Sequence, residues 1–143
     1  MKHMKKILLI ATGGTIASAE SKNGLVPALT AEELVKCVPG LSHVCEYDCC
    51  DIFHLDSCNV SPDEWVSIGE KAFEALKKYD GVVITHGTDT MAYTAAALSF
   101  MLRNPDKPVI LTGSQLPITA ENTDGIKNLF FAFKAAASGI KGV

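Results

Sequence analysis

Apolar residues along this chain fall into two alternating patterns. Residues 7–11 (ILLIA), 49–55, 82–85 and 109–112 are short, mostly apolar runs, the signature of strands covered on both faces. Between them, apolar positions recur at helical spacing. Trp65, Ile68, Ala72, Leu76 and Tyr79 form one such stripe. It opens on Ser61-Pro62-Asp63-Glu64, an N-cap Ser with Pro in the first turn and Glu three residues after the cap, and it ends at Asp80-Gly81. Thr30-Ala31-Glu32-Glu33 has the same cap spacing and predicts a short helix that stops before Pro39. A third helix, rich in Ala and Leu, is predicted over 91–102. A fourth runs from 124 to 138 with Ile126, Leu129, Phe130 and Phe133 inward. Residues 17–28 lack periodicity and contain Gly24 and Pro27, so a mobile loop is expected there.

Strands separated by helices imply βαβ units. The fold class is therefore α/β: a mainly parallel sheet with helices on both faces, in a Rossmann- or flavodoxin-like three-layer arrangement. A length of 143 residues suggests one domain. Residues 139–143 (GIKGV) read as the approach to a further strand, so 1–143 is expected to be a domain truncated before its end, with an open sheet edge.

Composition narrows the partners. At 48% hydrophobic and 20% charged residues the chain has enough apolar material for a core, which excludes disorder. A net charge of −3 argues against nucleic acid or an anionic membrane as partner. No apolar run approaches the ~20 residues that span a bilayer. The basic start, Met1 to Lys6, precedes an apolar run shorter than the ~7–15 residues of a signal core, and Gly13-Gly14 follows soon after. It reads as a first strand, with Met4 the natural start and Met1–His3 a remnant. The five cysteines, Cys37, Cys45, Cys49, Cys50 and Cys58, form no C-x-x-C pair. Free thiols in a reducing cytoplasm fit that pattern better than a zinc site or a disulfide framework.

The candidate chemistry sits after the strands, where open parallel sheets bind ligands. The four ends carry Thr12-Gly13-Gly14-Thr15, Asp56-Ser57, Thr85-His86-Gly87-Thr88-Asp89-Thr90 and Thr112-Gly113-Ser114-Gln115. Together they predict a small hydroxyl-rich pocket with one carboxylate. There is no phosphate-binding G-x-x-x-x-G-K-[ST], residues 12–18 do not fit G-x-G-x-x-G, and neither G-x-S-x-G nor a Ser–His–Asp order is evident. What remains is nucleophilic chemistry by a Thr hydroxyl. That needs a base or polarised hydrogen-bond chain, and donors for a developing oxyanion. The Gly-rich loops offer backbone N–H groups for the oxyanion.

Two long segments, Ala11-Thr-Gly-Gly-Thr-Ile-Ala17 and Ile84-Thr-His-Gly-Thr-Asp-Thr-Met91, resemble the signature motifs of bacterial-type L-asparaginases. Val109-Ile-Leu-Thr-Gly-Ser-Gln-Leu-Pro117 and Thr123-Asp124-Gly125 with Asn128-Leu129 resemble that family too, and Asp56-Ser57-Cys58-Asn59 is closer to its cytoplasmic, type I branch. The resemblance implies hydrolysis of L-asparagine to L-aspartate and ammonia through a Thr-linked acyl-enzyme, without metal or organic cofactor. Thr15 would be the nucleophile and Thr88 with Asp89 the second catalytic group, completed in the family by a Lys from a later strand. Ser57 and Asp89 would hold the substrate's α-carboxylate and α-ammonium, and the backbone at Ser114 would lie near its side-chain amide. Thr12 resembles a loop-shaping residue.

The resemblance further implies a homodimer or homotetramer in the cytoplasm. Family chains run to about twice this length, so residues 1–143 would be an N-terminal catalytic domain with the C-terminal domain and the Lys-bearing strand absent, inactive by itself. Lys127, Lys134 and Lys141 lie outside the matching motif. The family's loop Tyr has no counterpart in residues 22–27, where Leu25 takes its place.

Other readings accompany these. Thr15 is also a turn residue, and Asp89 an N-cap for the helix at Met91. His86 reads as structural. Phe130, Phe131 and Phe133 read as core or interface, and Lys77-Lys78 as a helix end favoured by its dipole. Asp48 and Asp51 lack metal-ligand spacing. Two further functions compete: the asparaginase-like subunit of a tRNA-dependent amidotransferase, against which an early first strand counts, and a non-catalytic binding or assembly module.

Overall fold

The computed structural model describes residues 4–22 and 24–143; the reading of Met1–His3 as a remnant lies outside them. In chain order the elements are β1 (Lys6–Gly13), β2 (Ser18–Ser21), β3 (Gly24–Pro27), α1 (Ala31–Lys36), β4 (Glu46–Leu55), α2 (Pro62–Leu76), β5 (Gly81–Thr85), α3 (Met91–Met101), β6 (Val109–Thr112) and α4 (Gly125–Ala137). Single 3-10 turns occupy Thr15–Ala17, Leu41–His43 and Ser57–Asn59.

β4, β1, β5 and β6 form one parallel sheet in that spatial order. Leu9 pairs with Cys49 on one side and with Val83 on the other. Because successive side chains alternate faces, β1 feeds two cores. Ile7, Leu9 and Ala11 pack with Leu34 and Val35 of α1 and with Leu129 and Phe133 of α4. Leu8 and Ile10 pack with Ile68 and Ala72 of α2 and Leu98 of α3. This is the three-layer α/β arrangement the pattern predicts.

The helix signals act as read. Thr30 Oγ1 accepts from the Glu33 N–H at 3.2 Å, and Glu33 reaches back to the Thr30 N–H at 2.8 Å. Glu64 likewise accepts from the Ser61 N–H at 2.7 Å. At the far end of α2, Lys107 Nζ donates to the carbonyls of Leu76 (2.6 Å) and Tyr79 (2.8 Å), satisfying orphan acceptors.

Two features differ from expectation and a third agrees with it. β4 begins at Glu46, three residues before the apolar run, because Lys6 extends the pairing to Glu46 and an ion pair holds Lys6 to Asp48 at 2.7 Å. Within 17–28, where a mobile loop is expected, β2 pairs antiparallel with β3 from Ser18↔Pro27 to Ser21↔Gly24. The ends of this pair are fixed from outside: the Ala28 and Leu29 N–H groups both donate to Ala17 O at 2.9 Å, and Ser18 Oγ donates to Gly14 O at 3.0 Å. Closure is imposed by anchored ends, which leave no side-chain periodicity. Finally, the 139–143 segment does approach the sheet beside β6. Gly142 bridges Pro108 in parallel, and Val109 N–H donates to Gly142 O at 2.9 Å.

Candidate active site

Counting only the parallel strands, the order is second, first, third, fourth. Connections leave β1 in opposite directions, and a crevice opens beyond the carboxyl ends of β1 and β5. That is where ligands bind in open α/β sheets. The turn Thr15–Ala17 follows β1 and residues 86–90 follow β5. The turn Ser57–Asn59 follows β4, beside β1.

These three segments touch backbone to backbone. Gly14 has φ +77°, and a Cβ there would lie 2.6 Å from Gly87 Cα. A Cβ on Gly87 would lie 2.7 Å from Ser57 Cβ. Thr90 Oγ1 donates to Ser57 O at 2.8 Å, fastening the third segment to the second. The result is a cavity of about 260 Å³ lined by Gly14, Thr15, Asp56, Ser57, Cys58, Gly87, Thr88 and Asp89. It is smaller than the ~300–1,000 Å³ of drug-sized sites and suits one small polar ligand.

Thr15, Ser57, Thr88 and Asp89 are thus brought together, as the strand-end pattern predicts. Ser114 is not among the lining residues. It is buried, and its hydroxyl donates to Leu116 O. Thr12, Thr85 and Thr112 are buried as well, so only part of the predicted hydroxyl pocket faces the cavity. Thr12 Oγ1 donates to Thr85 O at 2.7 Å, a loop-shaping contact. The Gly14 N–H is taken by Leu55 O at 2.9 Å and is not available to an oxyanion. Leu25 lies half exposed in a separate hollow with Pro117 and Thr119.

Two single-residue readings resolve. Asp89 does not cap α3: Thr90 precedes the helix, and Asp89 lines the cavity. His86 is fully buried, with Nδ1 2.7 Å from Gly87 O and Nε2 2.9 Å from Thr94 Oγ1. A carbonyl only accepts, so Nδ1 carries the proton and Nε2 accepts from Thr94. Burial lowers the imidazole pKa, and a neutral ring locked at both nitrogens is a strut for the β5 loop.

The pocket has a second carboxylate, Asp56, and a thiol, Cys58, where the sequence predicts one carboxylate only. Their strand-end position was the available signal. All five cysteines are free. Burial pushes the Cys45 and Cys49 thiols up to about 11, which keeps them inert.

An α/β domain with a hydroxyl- and carboxylate-lined crevice at its switch point is the class that fold and site define. The chain belongs to the asparaginase N-terminal family, which it matches over residues 6–143. It is 49% identical over 140 residues to the L-asparaginase of Thermococcus kodakarensis, covering 96% of this chain and 42% of that protein. It is 43% identical over 136 residues to a component of the glutamyl-tRNA(Gln) amidotransferase of Archaeoglobus fulgidus, covering 94% of this chain and 32% of that protein. The structure of the thermostable L-asparaginase from Thermococcus kodakarensis superposes with a TM-score of 0.84 at 46% identity, covering 95% of this chain and 42% of that one. The chain therefore spans about two fifths or less of the length of these curated relatives.

Proposed function

We propose that this chain is the N-terminal catalytic domain of a cytoplasmic L-asparaginase. The observation that carries the proposal is the single cavity gathering Thr15, Ser57, Thr88 and Asp89. Thr15 is the nucleophile. Its oxygen attacks the carbon of the side-chain amide, the C–N bond breaks, and the hydroxyl proton leaves with ammonia. Water then cleaves the Thr ester and restores the hydroxyl. The Thr15 and Thr88 hydroxyls make no hydrogen bond within the described residues, so both are free to engage substrate or an activating group. Thr88 and Asp89 form the second catalytic group, completed by a Lys beyond Val143. Asp89 holds the α-ammonium, Ser57 the α-carboxylate, and the Ser114 segment borders the amide end. Neither metal nor organic cofactor takes part.

The complete enzyme is a homodimer or homotetramer, as the resemblance implies. A cytoplasmic location is supported by five free cysteines. Among the described residues, no helix is long and apolar enough to cross a membrane. Identity of 43% to an amidotransferase component supports a second reading, in which the same amide cleavage supplies ammonia to a partner protein.

Ammonia release from L-asparagine by the complete enzyme tests the first reading. Thr15→Ala is expected to lower turnover by orders of magnitude while substrate binding stays measurable by calorimetry. Near-normal turnover in that variant rejects Thr15 as nucleophile. Release that requires a tRNA-bound partner selects the second reading.

A further inference from the structure

Thr90 begins α3: its carbonyl accepts from the N–H groups of Tyr93 (3.1 Å) and Thr94 (3.2 Å). A Thr in that position ordinarily caps the first turn with its side-chain oxygen. Here the side chain makes no cap bond, and its hydroxyl donates instead to Ser57 O at 2.8 Å, 33 positions away. Strand order gives that bond its importance. β1 lies between β4 and β5, so no ladder bond sets the spacing of the segments that follow those two strands. Among the described residues the Thr90–Ser57 bond is the one hydrogen bond joining residues 56–59 to residues 86–90. Gly87 packs against Ser57 so closely that a Cβ there would lie 2.7 Å from Ser57 Cβ. The packing stops the two segments from approaching, and the bond stops them from separating. The turn does not need the bond for its own sake, because Ser57 O also accepts from the Val60 N–H at 3.1 Å. One turn into α3, Thr94 Oγ1 meets His86 Nε2 at 2.9 Å, so the helix braces both ends of the β5 loop.

We propose that Thr90 is a positioning residue of the amide-cleaving site: its hydroxyl fixes the gap between Ser57 and Thr88-Asp89 and so sets the affinity for ligands that bridge the two. Thr90 does not itself line the cavity. The inference rests on the amidohydrolase reading, in which Ser57 takes the α-carboxylate and Asp89 the α-ammonium of one substrate. Without the tie, the two segments sample a range of separations. A ligand held at both ends must suppress that motion when it binds, at a cost in affinity. A ligand held at one end need not.

The test compares three ligands on the complete enzyme in a Thr15→Ala background, by calorimetry and displacement: L-asparagine, succinamate, which lacks the ammonium, and β-alaninamide, which lacks the carboxylate. Thr90→Val keeps the branched shape and removes the donor. It is expected to weaken L-asparagine roughly tenfold, the scale of one hydrogen bond, and to leave the two one-ended ligands unchanged. Thr90→Ser keeps the donor and should restore the affinity for L-asparagine. In the enzyme with Thr15 intact, the same loss should appear in KM. Unchanged affinity for L-asparagine in Thr90→Val, an equal loss for all three ligands, or a Thr90→Ser variant as weak as Thr90→Val overturns the proposal. So does a fall in binding stoichiometry at unchanged affinity, which would assign Thr90 to the fold alone. Normal turnover by Thr15→Ala would reject the reading of the site. Unchanged affinities in Thr90→Val, with that turnover abolished, reject the role of Thr90 alone.

Discussion

At Gly14 the backbone has φ +77°, and the space a side chain would need is filled by Gly87. Both facts oppose any other residue, one through local sterics and one through packing. Gly14→Ala is expected to destabilise the domain by roughly 1–3 kcal/mol, read as a lower denaturant midpoint at unchanged slope. It should also displace Thr15 and remove turnover in the complete enzyme. A midpoint within error of wild type would mean that the two loops separate without cost. The Gly-Gly pair after a strand is visible in the sequence as a tight turn. That Gly14 faces Gly87, 73 positions away, is not, because the contact is made by the sheet that brings β1 beside β5.

Among the elements, α4 does more than cover the sheet. Asp124, at its start, leaves the capping to Thr123, whose Oγ1 accepts from the Gly125 N–H at 3.0 Å, and instead accepts from the N–H groups of Gln115 (2.9 Å) and Leu116 (3.1 Å). Asn128, one turn on, donates to Gly113 O at 2.9 Å and to Asp124 at 3.1 Å. The helix thereby holds the segment that leaves β6. The Gln115 N–H, with smaller contributions from Leu116 and Asn128, keeps the Asp124 carboxyl below its ordinary pKa. A lowered carboxyl pKa stabilises the fold above the ordinary range near ~4, and that stability is lost as pH falls through the lowered value. Asp124→Asn should cost about 1–2 kcal/mol at pH 7 by weakening charge-assisted bonds. The difference from wild type should shrink on acidification, as followed by denaturant unfolding at pH 7 and pH 3. A difference that is constant with pH would show that the charge plays no part. The sequence spacing marks 123–125 as a helix start, which it is. The partner of the carboxylate is set only when α4 docks against β6.

For the molecule as a whole, burial of His86 couples stability to pH. The ring is depressed in the folded state, so between that value and the ordinary ~6.5 the unfolded chain binds more protons and stability falls as pH falls. The loss is up to about 1.4 kcal/mol for each pH unit within that window. Thermal midpoints from pH 8 to pH 5 should decline, and His86→Asn, which keeps a donor for Gly87 O, should flatten the decline. Parallel profiles in the two proteins would exclude His86 as the source. α3 adds a second global feature. It is apolar around its circumference, yet Tyr93 is 66% and Phe100 83% exposed. A helix with that composition ordinarily lies covered.

Periodicity and caps were enough for the α/β class, the four parallel strands, four helices and the strand-end placement of Thr15, Ser57, Thr88 and Asp89. Each depends on neighbours within a few residues: a strand's alternation, a Ser or Thr three positions before Glu, a Gly where the chain turns. Tertiary structure decided which strand ends converge. Strand order put β4 and β5 on either side of β1, gathering Asp56 and Asp89 at one cavity while burying Thr12, Thr85 and Thr112. Whether a strand-end side chain meets ligand or core depends on which segments lie against it, and that is settled by packing between positions tens of residues apart. The hairpin at 18–27 follows the same rule. Its own residues carry no alternation, and it pairs because the Ala17 carbonyl holds its far end.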